Sequence, residues 1–358
     1  MALYIALIAC TVIARIALSA NVETIEMKKS HEKATITFFF GGYLALLCLR
    51  ADTVGCDLAT YIPKWFYAFQ EIDWVSLFEM YEEEWLFVGL TKLIGEFTSS
   101  KQIYLTVLAA ITVLPVMHLY REEAEDALLC CSAFLVTLLF ELFFSGLRQA
   151  VAIAMGALAF LYAKKRKFVP FLLMVLIAYG FHNSGLFVAL IYPVYHMNIT
   201  RKWLVVLIPL MVVTYLFNDV ILEKLVTTFG GYYLDKGYRA VTGATGQTGL
   251  MMLYLIYFMY CFTVPDEGDL DKEFIGLRNL LVLATVLQLF APVHLVISRV
   301  NYYFNLFIPI TLTKVEKRSS INKRISQLAT LVMIAVFIMR FIQKDDPLQV
   351  FDYKFFFE

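Results

Sequence analysis

Long apolar runs separated by short polar loops dominate the chain. A bilayer crossing needs about 20 mostly apolar residues. Runs of that kind fall at roughly 2–20, 34–49, 103–119, 127–143, 146–163, 168–181, 185–197, 203–219, 249–264, 275–292, 294–313 and 325–342. Several are short, above all the pair flanking Phe181-His182-Asn183-Ser184, which reads equally as one kinked segment. The expected fold is all-α, a polytopic integral membrane protein with ten to twelve spans, twelve preferred. The first run offers Ala17-Leu18-Ser19 as a cleavage site, but it lacks a basic leading region and its apolar stretch is long, so it is read as a span.

The polar positions orient the pattern. With twelve spans and the N-terminus outside, the inner loops 21–33, 120–126, 164–167, 198–202, 265–274 and 314–324 carry 16 Lys and Arg. The largest outer loop, 50–102, carries four: Arg50, Lys64, Lys92 and Lys101. That is the positive-inside bias of a multi-pass protein of the cytoplasmic membrane. The chain shows no internal repeat and no Pro/Ser-rich linker, so residues 1–358 read as a single membrane domain with two sizeable outer loops, 50–102 and 220–248. In the first, Asp57 to Gln70 and Glu84 to Phe97 have helical periodicity with aromatic faces, as for helices lying in the interface.

Composition agrees: 60% hydrophobic and 17% charged residues exclude disorder, a nucleic-acid binder and an ordinary soluble enzyme. Five of the six Cys lie in apolar runs, and no His/Cys spacing suits a metal. No phosphate-cradling glycine motif is present, so neither metal nor cofactor is expected.

The informative residues are polar groups at span ends. Arg148 opens the fifth span within Phe144-Ser145-Gly146-Leu147-Arg148-Gln149, His182 sits between two apolar runs, and Arg299 lies inside the eleventh. An Arg at a helix centre costs about 2.5–3.5 kcal/mol and persists where it meets a counter-charge or a polar cavity. Glu141 on the fourth span is a partner for Arg148, and Arg340 near the last span's end reads as an interface anchor. On this twelve-span topology Arg50, Asp52, Asp57, Arg148, His182, Lys236, Arg239 and Arg299 all fall on the outer side. Cations converging beside carboxylates would suit a phosphate-bearing lipid and a sugar hydroxyl.

These segments resemble the EpsG-like family of exopolysaccharide and capsule polymerases, related to the Wzy O-antigen polymerases. Arg50, Gly55, Asp57 and Tyr61 match its first signature. Ser145-Gly146-Leu147-Arg148-Gln149, Phe181-His182-Asn183-Ser184 and Arg299-Val300-Asn301-Tyr302-Tyr303-Phe304 resemble later motifs in order, and Glu84 its conserved Glu segment. The resemblance implies a polymerase of polyprenyl-pyrophosphate-linked oligosaccharide repeats at the outer face of the inner membrane, related to metal-independent C-type glycosyltransferase folds. On that reading Arg148, Arg299 and Arg239, with Lys236, meet pyrophosphate oxygens. Arg50, Tyr61, Gln149 and Tyr303 complete the substrate site. Asp57, then Glu84, is the acceptor base, and His182 is a base or a phosphate ligand. The implied partners are the lipid-linked oligosaccharide, membrane lipid, and a chain-length regulator and flippase of the same pathway. A flippase or transporter for the same lipid, or an O-antigen ligase or membrane acyltransferase, would be the alternatives.

Overall fold

A computed structural model describes residues 2–19, 24–229, 245–264, 272–292, 295–318, 323–343 and 345–358. The described residues are helical apart from turns and one isolated antiparallel bridge, Arg50 to Phe355. Among the described residues, four helices are long and apolar enough to cross a membrane: Ala2–Ser19, Ile25–Leu49, Lys101–Glu123 and Leu147–Lys164. Two bent pairs raise the number to six if each is one span: Ala127–Val136 with Leu139–Ser145, bent by 59°, and Arg201–Leu216 with Asn218–Lys224, bent by 81°.

Local chemistry sets several helix starts. The side chains of Thr24, Ser100 and Asp126 accept from the backbone N–H groups of Met27, Ile103 and Leu129, satisfying donors that a helix start leaves free. The first bent pair breaks at Leu138, which adopts a left-handed φ of 64°.

The chain divides into two compact units, Met1–Ala189 with Asn322–Glu358, and Leu190–Ile321. In the first, Phe40, Tyr43, Tyr120, Phe134, Phe140 and Phe144 are buried and meet edge-on or tilted. Lipid is as apolar as these rings, so such packing acts through close contact and ring geometry, about 0.5–1.5 kcal/mol per pair.

Ion pairs sort the two ends of this unit's helices. At one end Lys33 pairs with Glu122 and Lys164 with Glu123, both at 2.8 Å, and Arg15 pairs with Glu32. The segments expected as inner loops 21–33, 120–126 and 164–167 therefore share one end. At the other end, Lys101 pairs with Asp52 at 2.5 Å.

The same end receives the C-terminal segment. The N–H of Ala51 donates to Lys354 O, that of Gly55 to Gln349 O and that of Cys56 to Leu348 O, each at 2.9 Å. The Tyr4 hydroxyl donates to Val350 O and the Tyr353 hydroxyl to Leu46 O. Residues 348–355 thus hold the loop after the second helix.

Two expectations about charge partners are corrected. Glu141 does not pair with Arg148: it is buried and takes Arg340 at 2.9 Å, so Arg340 is an internal counter-charge and not an interface anchor. Gly146, with φ −77° and ψ 63°, breaks the helix between Glu141 and Arg148, so their sequence spacing does not put them on one face.

The second unit has its own core, with Leu207, Met211, Met251, Phe258, Phe262 and Val282. The buried Arg278 donates to Ile199 O at 2.6 Å and lies 4.6 Å from the Phe262 ring centroid. Asn279 donates to the carbonyls of Val194 and Met197.

Candidate functional site

Three separate stretches of the first unit meet at Glu84. One is the turn into the Trp85–Phe97 helix, where Glu84 itself has φ 56° and ψ 35°. That left-handed conformation costs an ordinary L-residue about 1–2 kcal/mol. Glu84 sits at the helix start without capping it. Its carboxylate, 7% exposed, instead accepts from Arg148 Nη1 on one oxygen and from His182 Nδ1 on the other.

The second stretch is the start of the Leu147–Lys164 helix. Arg148 Nε donates to the Tyr61 hydroxyl at 2.9 Å, and its guanidinium carbon lies 4.7 Å from the Trp65 ring centroid and 5.5 Å from that of Tyr61. Tyr61 and Trp65 belong to a π-helical turn, Tyr61–Tyr67. Beneath them lie Leu58, Ile62, Phe66, Phe87, Leu105 and Leu147.

The third is the break after the Phe168–Phe181 helix. Gly180 brings that helix close to Trp85 and Leu86, because a Cβ there would overlap the Leu86 side chain. The close approach delivers His182, two residues on, to Glu84. Asn183 adds its amide, donating to Glu83 Oε2 at 2.8 Å.

The electrostatics follow from these contacts. Burial pushes the Glu84 carboxyl up, but the hydrogen bonds and charges of His182 and Arg148 outweigh it and hold the group below the ordinary carboxylate range. An ionised carboxylate only accepts, so Nδ1 of His182 carries the shared proton and Nε2 faces away from Glu84. The Arg148 side chain remains 30% exposed and that of His182 25%. Neither Arg148 Nη2 nor His182 Nε2 has a hydrogen-bond partner among the described residues. The cluster therefore offers a fixed donor for an anion beside a ring nitrogen able to exchange a proton.

The first signature loop is docked on the second. The Asp57 N–H donates to the Ser145 hydroxyl at 3.2 Å, and the Cys56 thiol lies 3.2 Å from the same oxygen. Gly55, at φ +114°, packs so tightly that a Cβ would strike the Phe144 carbonyl. This loop needs glycine for both reasons.

The residues singled out from sequence separate accordingly. Tyr61, Glu84, Arg148 and His182 come together, and Asp57 sits half-buried on the Ser145 turn. Gln149 is buried beside Arg148 in the chain. Arg50 is 1% exposed; its guanidinium lies 5.3 Å from the Phe144 ring centroid and donates to Phe143 O at 3.4 Å. In the second unit Arg299 is exposed and Tyr303 buried. Lys236 and Arg239 lie outside the described residues. The sequence alone does not mark Trp65 or Asn183 as site residues, although Trp65 stands four residues after Tyr61, a spacing that puts the two on one helical face.

A family model described as the EpsG family matches residues 33–355. No curated protein and no solved structure matches the chain.

Proposed function

The chain belongs to the EpsG family of polysaccharide polymerases, related to Wzy, and from that premise we propose that it extends a glycan carried on polyprenyl pyrophosphate. The reaction takes place at the outer face of the bacterial cytoplasmic membrane. The observation that carries this reading is the Glu84 carboxylate held between Arg148 and His182.

In the proposed step an acceptor hydroxyl of one lipid-linked repeat attacks the anomeric carbon of the growing chain. The new C–O bond forms as the bond from that carbon to the pyrophosphate oxygen breaks. The hydroxyl proton passes to Nε2 of His182, and the electron pair of the broken bond leaves on polyprenyl pyrophosphate. Arg148 faces the pyrophosphate charge, fixed in advance by Tyr61, Trp65 and Glu84, so little reorganisation is needed as charge develops. Glu84 orients the imidazole, as a carboxylate does behind a catalytic histidine. A carboxyl already held low and almost buried is a poor base itself, which favours His182 over Glu84.

Asp57 positions the loop between the two signatures and stands second to His182 as base. Arg299, Arg239 and Lys236 supply further cations for the pyrophosphate, with Gln149, Tyr303 and the buried Arg50 as supports. Twelve spans remain the preferred reading, because each apolar run coincides at least in part with helical segments. The C-type glycosyltransferase relation rests on the family resemblance alone. A chain-length regulator and a flippase are the proposed pathway partners.

Purified full-length protein supplied with its lipid-linked repeat provides the test. Longer lipid-linked products from the wild type, sharply reduced with Arg148→Lys and His182→Asn, support the reading. Movement of unchanged repeat across liposomes without extension would instead identify a flippase.

A further inference from the structure

Beside the Glu84 cluster, the same outer loop walls a second feature. An open cavity of about 510 Å³ is lined by Asp52, Thr53, Gly55, Cys56, Pro63, Tyr67 and Gln349, among others. Its size lies within the ~300–1,000 Å³ of small-molecule sites. The segment 57–70 separates the two. Ala59, Pro63 and Tyr67, at four-residue spacing, line the cavity, while Tyr61 and Trp65, offset by two, engage Arg148. Residues two apart on a helical segment do not share a face.

The cavity's chemistry is specific. The Thr53 and Tyr67 hydroxyls and the Gln349 amide make no hydrogen bond to any described residue, and of the Asp52 carboxylate only Oδ2 is engaged, by Lys101. Its wall thus presents two exposed hydroxyls, an exposed amide and one carboxylate oxygen beside an aromatic ring, a proline and the apolar Leu58, Ala59 and Ile62. No cation lines it, so it does not suit a phosphate. No group of three or more acidic, His or Cys side chains suited to a metal ion occurs among the described residues, so the lone Asp52 carboxylate does not favour a metal here. A lipid tail would leave these polar groups unpaired. A sugar ring, with vicinal hydroxyls and a C–H face, matches both parts of the wall.

Gln349 is built in with some strain. Its φ is 55°, the left-handed region, at a cost of about 1–2 kcal/mol. The backbone around it is nevertheless fixed. Its carbonyl accepts from the Gly55 N–H, and the Asp346 carboxylate caps the N–H groups of Val350 and Phe351 at 2.8 and 2.7 Å. A non-glycine residue held there, with an uncommitted amide at a cavity, is strain of the kind found at binding sites.

We propose that this cavity is a saccharide subsite, holding sugars of the lipid-linked repeat other than the one that reacts. The inference rests on the polymerase reading for the identity of the glycan. Binding there would hold the repeat through contacts remote from the reacting bond that are the same in the ground and transition states.

The probe is a panel of methyl glycosides of hexoses, N-acetylhexosamines and uronic acids, tested by saturation-transfer NMR on full-length protein in detergent. Wild type and Arg148→Lys should both transfer saturation to at least one of them. Gln349→Gly removes the amide while relieving the left-handed strain, so its thermal midpoint should hold or rise. Its glycoside binding should weaken about five- to tenfold, as for a lost hydrogen bond, and Tyr67→Ala should weaken binding similarly. In extension assays both variants should raise KM for the repeat and leave kcat near wild type. No transfer to any glycoside in the wild type, or unchanged binding in both cavity variants, would overturn the proposal. The NMR readout needs no turnover, so a wild type that binds glycosides but extends nothing refutes the polymerase reading and leaves the cavity a sugar site.

Discussion

Nδ1 of His182 is hydrogen-bonded to Oε1 of Glu84 across 98 residues of sequence, while the other oxygen of that carboxylate holds Arg148. One side chain therefore fixes both a proton-exchanging ring and a cation. A residue with such a double duty should show it when substituted.

Arg148→Lys keeps the charge but cannot hold the Tyr61 hydroxyl through Nε and the Glu84 carboxylate through Nη1 together. Polymer output per molecule should fall at least about tenfold at unchanged protein level. Quantitative blotting alongside polymer staining checks it; near-normal output would remove Arg148 from the pyrophosphate site.

His182→Asn should cost about 100- to 10,000-fold in turnover, the usual loss for a general base, with lipid-linked substrate still bound. Asp57→Asn should cost less, since the contact that docks its loop runs through its backbone N–H to Ser145. Turnover and binding measured on the same monodisperse preparations rank the two, and a larger loss at Asp57 would exchange their roles.

Glu84 also gives the fold a pH dependence. Its carboxyl lies below the ordinary range in the folded chain, so its ion pairs stabilise the protein fully above about pH 4.3, the usual carboxylate value. That contribution fades as pH falls through the lower folded value. Thermal midpoints of wild type should drop across this acid window, and Glu84→Gln should flatten that part of the profile. An unchanged profile in the variant would remove Glu84 as its source.

Arg340→Gln leaves the buried Glu141 carboxylate without its counter-charge and should destabilise by about 3 kcal/mol, in line with other broken buried pairs. Glu141→Gln in the same chain should restore most of the loss. A double-mutant cycle on thermal or denaturant unfolding measures the coupling; additive effects would mean that the pair is not the cause.

Much of the helix pattern is legible in sequence, since apolar length is what a bilayer reads. The long helix Lys101–Glu123 overlaps the run expected at 103–119, and the bent pair 127–145 overlaps that at 127–143. The convergence of Tyr61, Glu84, Arg148 and His182 is legible only as a set of polar groups on one side, because their contacts are made between elements far apart in the chain. Arg50 illustrates the limit: its residue type suggests a phosphate ligand, yet packing against Phe144 buries it. The role of residues 348–355 had no side-chain signal, since much of the docking there is done by backbone carbonyls that every residue possesses.

That docking also has a consequence in time. The loop from Arg50 to Asp57 leaves the ribosome well before its backbone partners; Tyr4 waits for Val350 across 346 residues and Leu46 for Tyr353 across 307. Helices can insert one by one as they are made, but this contact closes only once residues 348–355 have been synthesised. A stalled or prematurely terminated chain would therefore sit in the membrane with its helices formed and this loop unlatched.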